Sequence, residues 1–545
     1  MRTSMKKSRF LAFLSAAALV TTVLAVIPVS ANAAEPLCDG KLAVNSCKGL
    51  TSDGAPYAMQ VPGNFNGTVL IWSHGIRPNV PIPAAIPKLG GYVVTNTPET
   101  AAGQSGGSMV VTGTLLAKGY ALIGSGFSRQ GVNIMEGVAT NVELIGIFKK
   151  QFPTTKKVIA WGESLGAITT QVLAEQHPEL ITAAGLTCTA VTDPLALASY
   201  FGDFLWGFKT FFDPTIKGFG YSAGAAGYAE EMGDLGKFWI ALGKLQAGLV
   251  SGEWPDTSSP AGKALEAAKI PSRSALLLVG LMAGVPTRSA HIDGVSGPKG
   301  SEELFPLAIA PALAVLENAG TVASAAILLM ADGEQQTGGI VFDNTKTDYA
   351  ARIGDARDVF TMGLSGNTAL NAMLGIIAAS PRVTGLPAAV AKMSALLPVT
   401  GKIKVPTVQL SGVADQYTPS GIAQWLSDKN AAAINAAKAV LAKKYGSTHS
   451  YAAPVNNLVT VWSTSPAKYT TFDATGTPVL STPGALGAGH CVYTPAQHLA
   501  VANLLIGASS SGTLLSGGAL ATLVRKAGGL SVDPKFKAPT LKYFG

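Results

Sequence analysis

Charge is scarce in this 545-residue chain. Lys, Arg, Asp and Glu make up 13% of it, about half the ordinary share of a globular protein. No Lys/Arg cluster interrupts that scarcity, so no nucleic-acid footprint is present and a nucleic-acid partner is excluded. There are four cysteines, with no Cys-x-x-Cys and no Cys/His spacing of the kind a zinc site needs. Histidines number six, which keeps the candidates for acid–base chemistry few.

What is abundant is apolar. Hydrophobic residues reach 48%, enough for a large core, and the length exceeds that of one ordinary domain. Arg2, Lys6, Lys7 and Arg9 precede an apolar run over 10–29, and Ala31-Asn32-Ala33 supplies a small-x-small cleavage site. Residues 1–33 therefore read as a secretory signal peptide. The run is long enough to span a bilayer, so a retained anchor is the alternative; the cleavage motif argues for export and no stable membrane anchor. Removing 1–33 takes away four basic and no acidic residues, lowering the formal net charge from +8 to +4. Apolar stretches further on are broken by Gly, Pro or charge and do not read as membrane spans. In an exported chain the cysteines are expected to pair. Cys38 and Cys47 are close neighbours in sequence, and by elimination Cys188 pairs with Cys491; two buried free thiols are the alternative for the second pair.

Strand-like segments at 57–61 and 68–72 flank a Gly-Asn-Phe-Asn-Gly turn, and the second runs into Ser73-His74-Gly75-Ile76-Arg77. A polar, Gly-rich stretch at 91–107 reads as a surface loop, followed by a helix over 109–118 and a buried strand over 119–126. Ser125, Ser128 and Arg129 fall at the end of that strand, either lining a pocket or lying on an ordinary polar loop. A long helix covers 132–152, with Val138, Val142, Ile145 and Phe148 on one face. Next comes Lys156-Lys157-Val158-Ile159-Ala160-Trp161-Gly162-Glu163-Ser164-Leu165-Gly166. This is an apolar run stopping at Gly-x-Ser-x-Gly, with a helix over 167–176 behind it and a strand over 183–187 after that. With 62 glycines in the chain the pentapeptide could arise by chance. Strand before and helix after is nevertheless the context a nucleophile elbow demands. Such a turn raises the Ser164 hydroxyl above the sheet edge and leaves the Leu165 N–H at a helix N-terminus, where an oxyanion is stabilised.

The strand–helix alternation predicts a doubly wound, mostly parallel sheet, whose sites form beyond the carboxyl ends of the strands. From about 190 to 402 the alternation vanishes. Helical spacing recurs over 195–212, 237–250, 274–283, 312–330, 369–379 and 388–397. Aromatics gather in the first of these, from Tyr200 to Phe212, more in the manner of a core than of an acyl pocket. A polar island, Asp343, Asn344, Thr345, Asp348 and Tyr349, has no role that the sequence assigns. The alternation resumes with a strand over 405–410 that ends in Ser411-Gly412-Val413-Ala414-Asp415. A helix over 421–444, a strand over 458–462, the loop Gly487-Ala488-Gly489-His490-Cys491 and a helix over 496–506 follow. The tail beyond 507, with a helical patch over 519–526, is expected to wrap the surface.

These segments resemble the α/β-hydrolase superfamily, in particular secreted serine esterases and lipases with a large helical cap. The likeness covers about 60–190 and 400–506. It implies a signal peptide (1–33), a first core part (34–190), a helical cap or lid (191–402) inserted after the strand following the nucleophile helix, and a second core part with tail (403–545). The order Ser164, Asp415, His490 is the family order of nucleophile, acid and base. His490 alone of the histidines has the right order and loop context; His74 is expected to brace its loop, and His177, His291, His449 and His498 lie elsewhere. Asp415 could instead merely cap the next helix, and its 75-residue distance from His490 is long for this pair, which keeps Asp473 as a second candidate acid. The family also implies a second oxyanion N–H from the loop after the 68–72 strand, by position that of Ile76, with Arg77 the second choice. No metal or organic cofactor is needed.

The expected activity is that of a carboxylic ester hydrolase acting through an acyl-enzyme on Ser164. Its substrate would be a small-molecule or polymeric ester with a lipophilic acyl or aromatic part. Tannases and feruloyl esterases carry cysteines beside both Ser and His; Cys491 fits that pattern, but Glu163 stands beside Ser164. The alternative is a secreted serine peptidase or amidase, aminopeptidase-like, in which Glu163 or a cap acid such as Asp343 would hold the substrate amine. A non-enzymatic lipid-binding role on the same fold is a third.

Overall fold

The computed structural model describes residues 35–104, 107–358, 366–445, 452–533 and 535–544. The signal peptide and His449 lie outside these residues. In chain order the strands are β1 (Leu37–Cys38), β2 (Val44–Leu50), β3 (Pro56–Pro62), β4 (Thr68–Ser73), β5 (Ala121–Ser125), β6 (Lys157–Glu163), β7 (Ala183–Thr187), β8 (Thr407–Gly412), β9 (Leu458–Ser463) and β10 (Leu530–Ser531). They form one sheet in the order β1-β2-β3-β5-β4-β6-β7-β8-β9-β10. Strands β5, β4, β6, β7, β8 and β9 run parallel, and antiparallel pairs close both edges. This is the doubly wound α/β sheet that the alternation predicts.

Helices α1 (Val110–Ala117), α2 (Ile134–Gln151) and α3 (Leu165–Gln176) connect the first parallel strands. Between β7 and β8 the described elements are all helices, joined by loops: α4 (Pro194–Phe211), α5 (Gly224–Gly248), α6 (Pro260–Ala267), α7 (Ser272–Ala283), α8 (Leu304–Ala308), α9 (Ala310–Thr337), α10 (Tyr349–Ile353), α11 (Gly366–Ala379) and α12 (Pro387–Leu396). Helix α13 (Ser420–Tyr445) joins β8 to β9, and α14 (Pro495–Ser511) and α15 (Gly517–Lys526) follow.

The period-2 geometry of a strand sends alternate side chains to opposite faces. On β4, Val69 and Ile71 enter the core shared with α2 and α3, whereas Leu70 and Trp72 enter the core under α14. Val158 and Ala160 against Ile159 and Trp161 divide in the same way on β6. Because both faces are covered, all six residues of β4 are buried, which is why it reads as a continuous apolar run. The sheet's active edge therefore rests on a rigid, two-sided core.

Several expectations need correction. The 91–107 stretch is not simply a surface loop, since Ala101 and Ala102 are fully buried and the Arg77 guanidinium pairs with Glu99. The tail does more than wrap the surface. Strand β10 pairs with β9, and Ala538 and Leu541 are buried. Helix α9 is long and apolar enough to cross a membrane by length and composition, contrary to the reading of broken apolar stretches, but most of it is buried inside the protein. Both disulfides, Cys38–Cys47 and Cys188–Cys491, are formed.

Candidate active site

Strand β6 ends in a strained turn. Ser164 adopts φ 53°, ψ −121°, a conformation L-residues rarely occupy and one that clusters at functional sites. Glycines on either side permit it. A Cβ on Gly166 would lie 2.1 Å from the Ser73 carbonyl oxygen and 2.5 Å from that of His74; one on Gly162 would lie 2.5 Å from the Gly166 carbonyl oxygen. Helix α3 starts at Leu165, two residues earlier than the sequence suggests, so the serine itself occupies the N-cap position. The β4 exit loop lies alongside, with the Cβ position of Gly75 at 3.4 Å from the Ser164 Cβ.

Strand β8 delivers Asp415 and the loop before α14 delivers His490, and these two stretches are tied directly. The Ala414 N–H donates to the Gly487 carbonyl at 2.9 Å, and Ala414 and Ala488 form an isolated parallel bridge. Both Asp415 oxygens face His490 Nδ1, at 3.0 and 2.9 Å. His490 Nε2 lies 2.9 Å from Ser164 Oγ. Asp415 is fully buried and also accepts from the Tyr417 N–H, the Thr418 N–H and the Thr418 hydroxyl. The buried carboxylate thus has its oxygens satisfied by backbone and hydroxyl donors as well as by the imidazole. Its bonds reach Tyr417 and Thr418, short of the start of α13 at Ser420, so Asp415 braces its own turn and holds the imidazole and does not cap the next helix. Asp473, the second candidate acid, is exposed and bonds only within its own turn to Thr475, Gly476 and Thr477.

Two further groups support His490: a tyrosine ring that the sequence did not single out, and the disulfide that it did. The Tyr417 ring packs on the imidazole with centroids 4.6 Å apart. Cys188, just past β7, is joined to Cys491, and both cysteines, like Ser164, take positive φ. Three left-handed non-glycine residues thus converge at one edge, a constellation that only the fold reveals.

The remaining candidates are placed elsewhere. His74 is buried, stacks on Phe127 and bonds through Nδ1 to the Gly75 carbonyl; burial and the Arg77 charge lower it to about 4, so it is a neutral brace. His177 pairs with Glu179 and His291 with Glu317, while burial lowers His498 to about 4. Ser125, Ser128 and Arg129 do not reach Ser164: their polar groups go to Phe127, to Asp53, and to Val132 and Asp332. The polar island is internal scaffolding. Asp343 accepts from Thr345 and Gly385, Asn344 bonds Tyr349 and Val383, and Asp348 caps α10.

A cavity of about 210 Å³ opens at Ser164. Its walls are Ile76, Leu89, Val132 and Leu165 from the sheet side, Leu197 and Phe201 from α4, Leu328, Leu329 and Met330 from α9, and Met393 and Leu397 from and just beyond α12. Of the aromatic cluster on α4, only Phe201 reaches it; the others are buried in the core. Asp332 also lines the cavity, but its oxygens already accept from Asn79, Arg129, Val132 and Gln336. Glu163 faces a separate cleft on the other side of His490. Cys188, His490 and Cys491 offer three potential ligand atoms close together, but both sulfurs are consumed in the disulfide.

No protein-family profile and no curated protein matches the chain. Solved structures of similar shape include an esterase from Aspergillus oryzae, at 13% identity and TM-score 0.37, covering 72% of this chain and 69% of that one. Feruloyl esterase B from Aspergillus oryzae has 13% identity and TM-score 0.39, covering 86% and 82%. Candida antarctica lipase A has 11% identity and TM-score 0.34, covering 87% and 79%. These three are two esterases and a lipase, at a similarity that carries neither substrate nor mechanism to this chain.

Proposed function

We propose that this chain is a secreted serine hydrolase that cleaves carboxylic esters with lipophilic acyl or aromatic parts, and that residues 191–402 form a cap over its site. The observation that carries this reading is the unbroken relay from Asp415 through His490 to Ser164, placed at the mouth of an apolar cavity. His490 takes the Ser164 proton as Oγ attacks the ester carbonyl, and Asp415 fixes the tautomer and stabilises the imidazolium. The N–H groups of Leu165 and Ile76 face the developing oxyanion, each contributing about 3 kcal/mol if preorganised. His490 then protonates the departing alcohol, and water, activated by the same imidazole, releases the acid from Ser164. Two disulfides suit the oxidising compartment to which a signal peptide would send the chain.

The peptidase reading needs a carboxylate free to hold an amine. Neither Glu163 nor Asp343 lines the cavity, and the oxygens of Asp332, which does, are saturated, which favours the ester. The test is hydrolysis of p-nitrophenyl acyl esters by the mature protein, compared with aminoacyl p-nitroanilides. Ser164→Ala should abolish ester turnover by at least about 10³-fold without changing the thermal midpoint. Survival of activity in that variant, or faster anilide turnover in the wild type, overturns the assignment.

A further inference from the structure

Asp415 and His490 are 75 positions apart; the chain between them includes a long excursion after β9, over 464–489, whose contacts lead to the loop between α7 and α8. Asp293 on that loop is fully buried and accepts from the Tyr469 and Thr470 N–H groups, while its own N–H donates to the Thr470 hydroxyl. Burial would raise its carboxyl, but the N–H groups of Thr470, Val295 and Tyr469 hold it well below the usual range. The Tyr469 hydroxyl donates to the Ser289 carbonyl at 2.6 Å. Nearer the triad, the Ala485 N–H donates to the Ala290 carbonyl at 2.8 Å. The Ala290 Cβ lies 3.1 Å from where Gly484 would carry a Cβ, and 3.5 Å from the same point on Gly489, the residue before His490. Gly487 and Gly489 both take positive φ, which glycine adopts without strain.

His291 stands at the centre of this contact. Its Nδ1 lies 2.6 Å from a Glu317 carboxylate oxygen and its Nε2 2.7 Å from the Thr482 carbonyl. Both partners accept and neither donates, so both ring nitrogens must carry hydrogen. We propose that the loop over 288–296 is a positioning element for His490, and that His291, held as an imidazolium between Glu317 and Thr482, sets an alkaline limit on turnover. Loss of one ring proton would set a lone pair against either the Glu317 carboxylate or the Thr482 carbonyl. The excursion would then be released on the side next to the base.

The charged group facing the ring is Glu317 on α9; Arg288 and Asp293 on the loop, with Glu317, act on Tyr469 of the excursion. Burial alone would lower His291; the bonds to Glu317 and Thr482 and the Glu317 charge outweigh it and raise it above 6.5. A raised folded-state value means the clamp is fully present below about 6.5 and is lost as pH rises through the raised value. Asp293 stays ionised across that window and provides a fixed anchor.

The proposal rests on the hydrolase reading, and its test separates the two. Turnover of a p-nitrophenyl ester is measured against pH for the mature wild type, His291→Gln and Glu317→Gln, with backbone hydrogen exchange over 465–489 followed at the same pH values. Wild-type kcat should fall on the alkaline side by about tenfold, with KM little changed. His291→Gln should start from the lower value and show no such fall. Glu317→Gln, having lost the anion that raises His291, should move the fall to lower pH. An alkaline fall unmoved in both variants overturns the proposal; should His291→Gln not fold, Glu317→Gln alone decides by direction. If the wild type hydrolyses no ester, the hydrolase reading fails. The clamp is then judged by exchange: protection over 465–489 that drops with pH in the wild type and not in His291→Gln supports it, and pH-independent protection overturns it.

Discussion

Gly166 has no room for a methyl group. Its Cβ would sit within 2.6 Å of three backbone atoms of Ser73 and His74, and backbone cannot swing aside as a side chain can. Gly166→Ala should therefore lower stability by about 1–3 kcal/mol and, by displacing the elbow, cut ester turnover more than the stability loss explains; thermal melts beside kcat of the folded fraction check this. A second residue acts through pH. Glu231 on α5 is buried, and among the described residues no donor reaches its Oε1. Burial, with the Asp332 charge nearby, raises it from 4.5 to about 8. The folded state then keeps a proton that the unfolded chain has released, so stability falls as pH rises from about 4.5 to 8. Glu231→Gln should remove that slope and raise the melting temperature at pH 8, by up to about 5 kcal/mol in free energy; an unchanged slope rules it out. Residues of these two kinds differ in legibility. Gly166, Ser164 and His490 stand in local patterns whose spacing carries the geometry. Glu231 looks like any surface Glu on a helix, because its burial is decided by what α9 brings against it. The acid proposed for the relay fell between the two, since Asp415 and Asp473 both sit in turn-like sequence and only the fold brings one of them to His490.

Elements reading as buried parallel strands were legible to within a residue or two. Strand β7 spans Ala183–Thr187, matching the sequence reading, because its neighbours on both sides and both faces demand an apolar run. Edge elements were not: β1, β2 and β10 are short or half-exposed, and their pairing depends on distant partners. Helix α5 starts at Gly224, thirteen residues before the expected position (237 − 224). Its first turns carry three glycines and exposed alanines, and tertiary contact overrides their weak propensity. The element most exposed to test is the Cys188–Cys491 link, which closes a loop of 303 residues and ties the end of β7 to the loop carrying His490. Replacing both cysteines by alanine should cost about 6 kcal/mol at most by loop entropy. Because the bond adjoins the base, kcat should fall while KM for a short ester stays nearly constant. An unchanged kcat in the folded double variant would show that the Ala414–Gly487 contact and Asp415 suffice to hold the imidazole.

Across the whole molecule, the cavity at Ser164 is an interface property. The start of α3 contributes Leu165 and the loop before α2 Val132, α4 contributes Leu197 and Phe201, and α9 contributes Ala325, Leu328 and Leu329. An ion pair from Arg129 to Asp332 of α9 ties the two halves beside it. Helical spacing over 191–402 indicated that this region is helical; which face of α9 would meet the sheet was not readable, because α9 is apolar nearly all round. That uniform face follows from burial on every side. It leaves the lining of the cavity to be set by the packing of α9 against α4, α5 and α7. A substrate acyl chain entering this space gains about 0.8 kcal/mol for each methylene withdrawn from water, about fourfold in kcat/KM. Specificity should therefore rise with acyl length until the cavity is filled and then level off. Ala325 is 4% exposed and lines the wall, so Ala325→Phe subtracts volume without touching the triad. If two or three methylenes lose their place, kcat/KM for the longest well-bound ester should drop by about 15- to 60-fold. Acetyl ester turnover should stay near wild type, since the acetyl group never reaches that wall. A series of p-nitrophenyl esters from acetyl upward, run on both proteins, reads the plateau directly. A plateau at the same chain length in both would mean that the acyl group lies somewhere other than between α4 and α9.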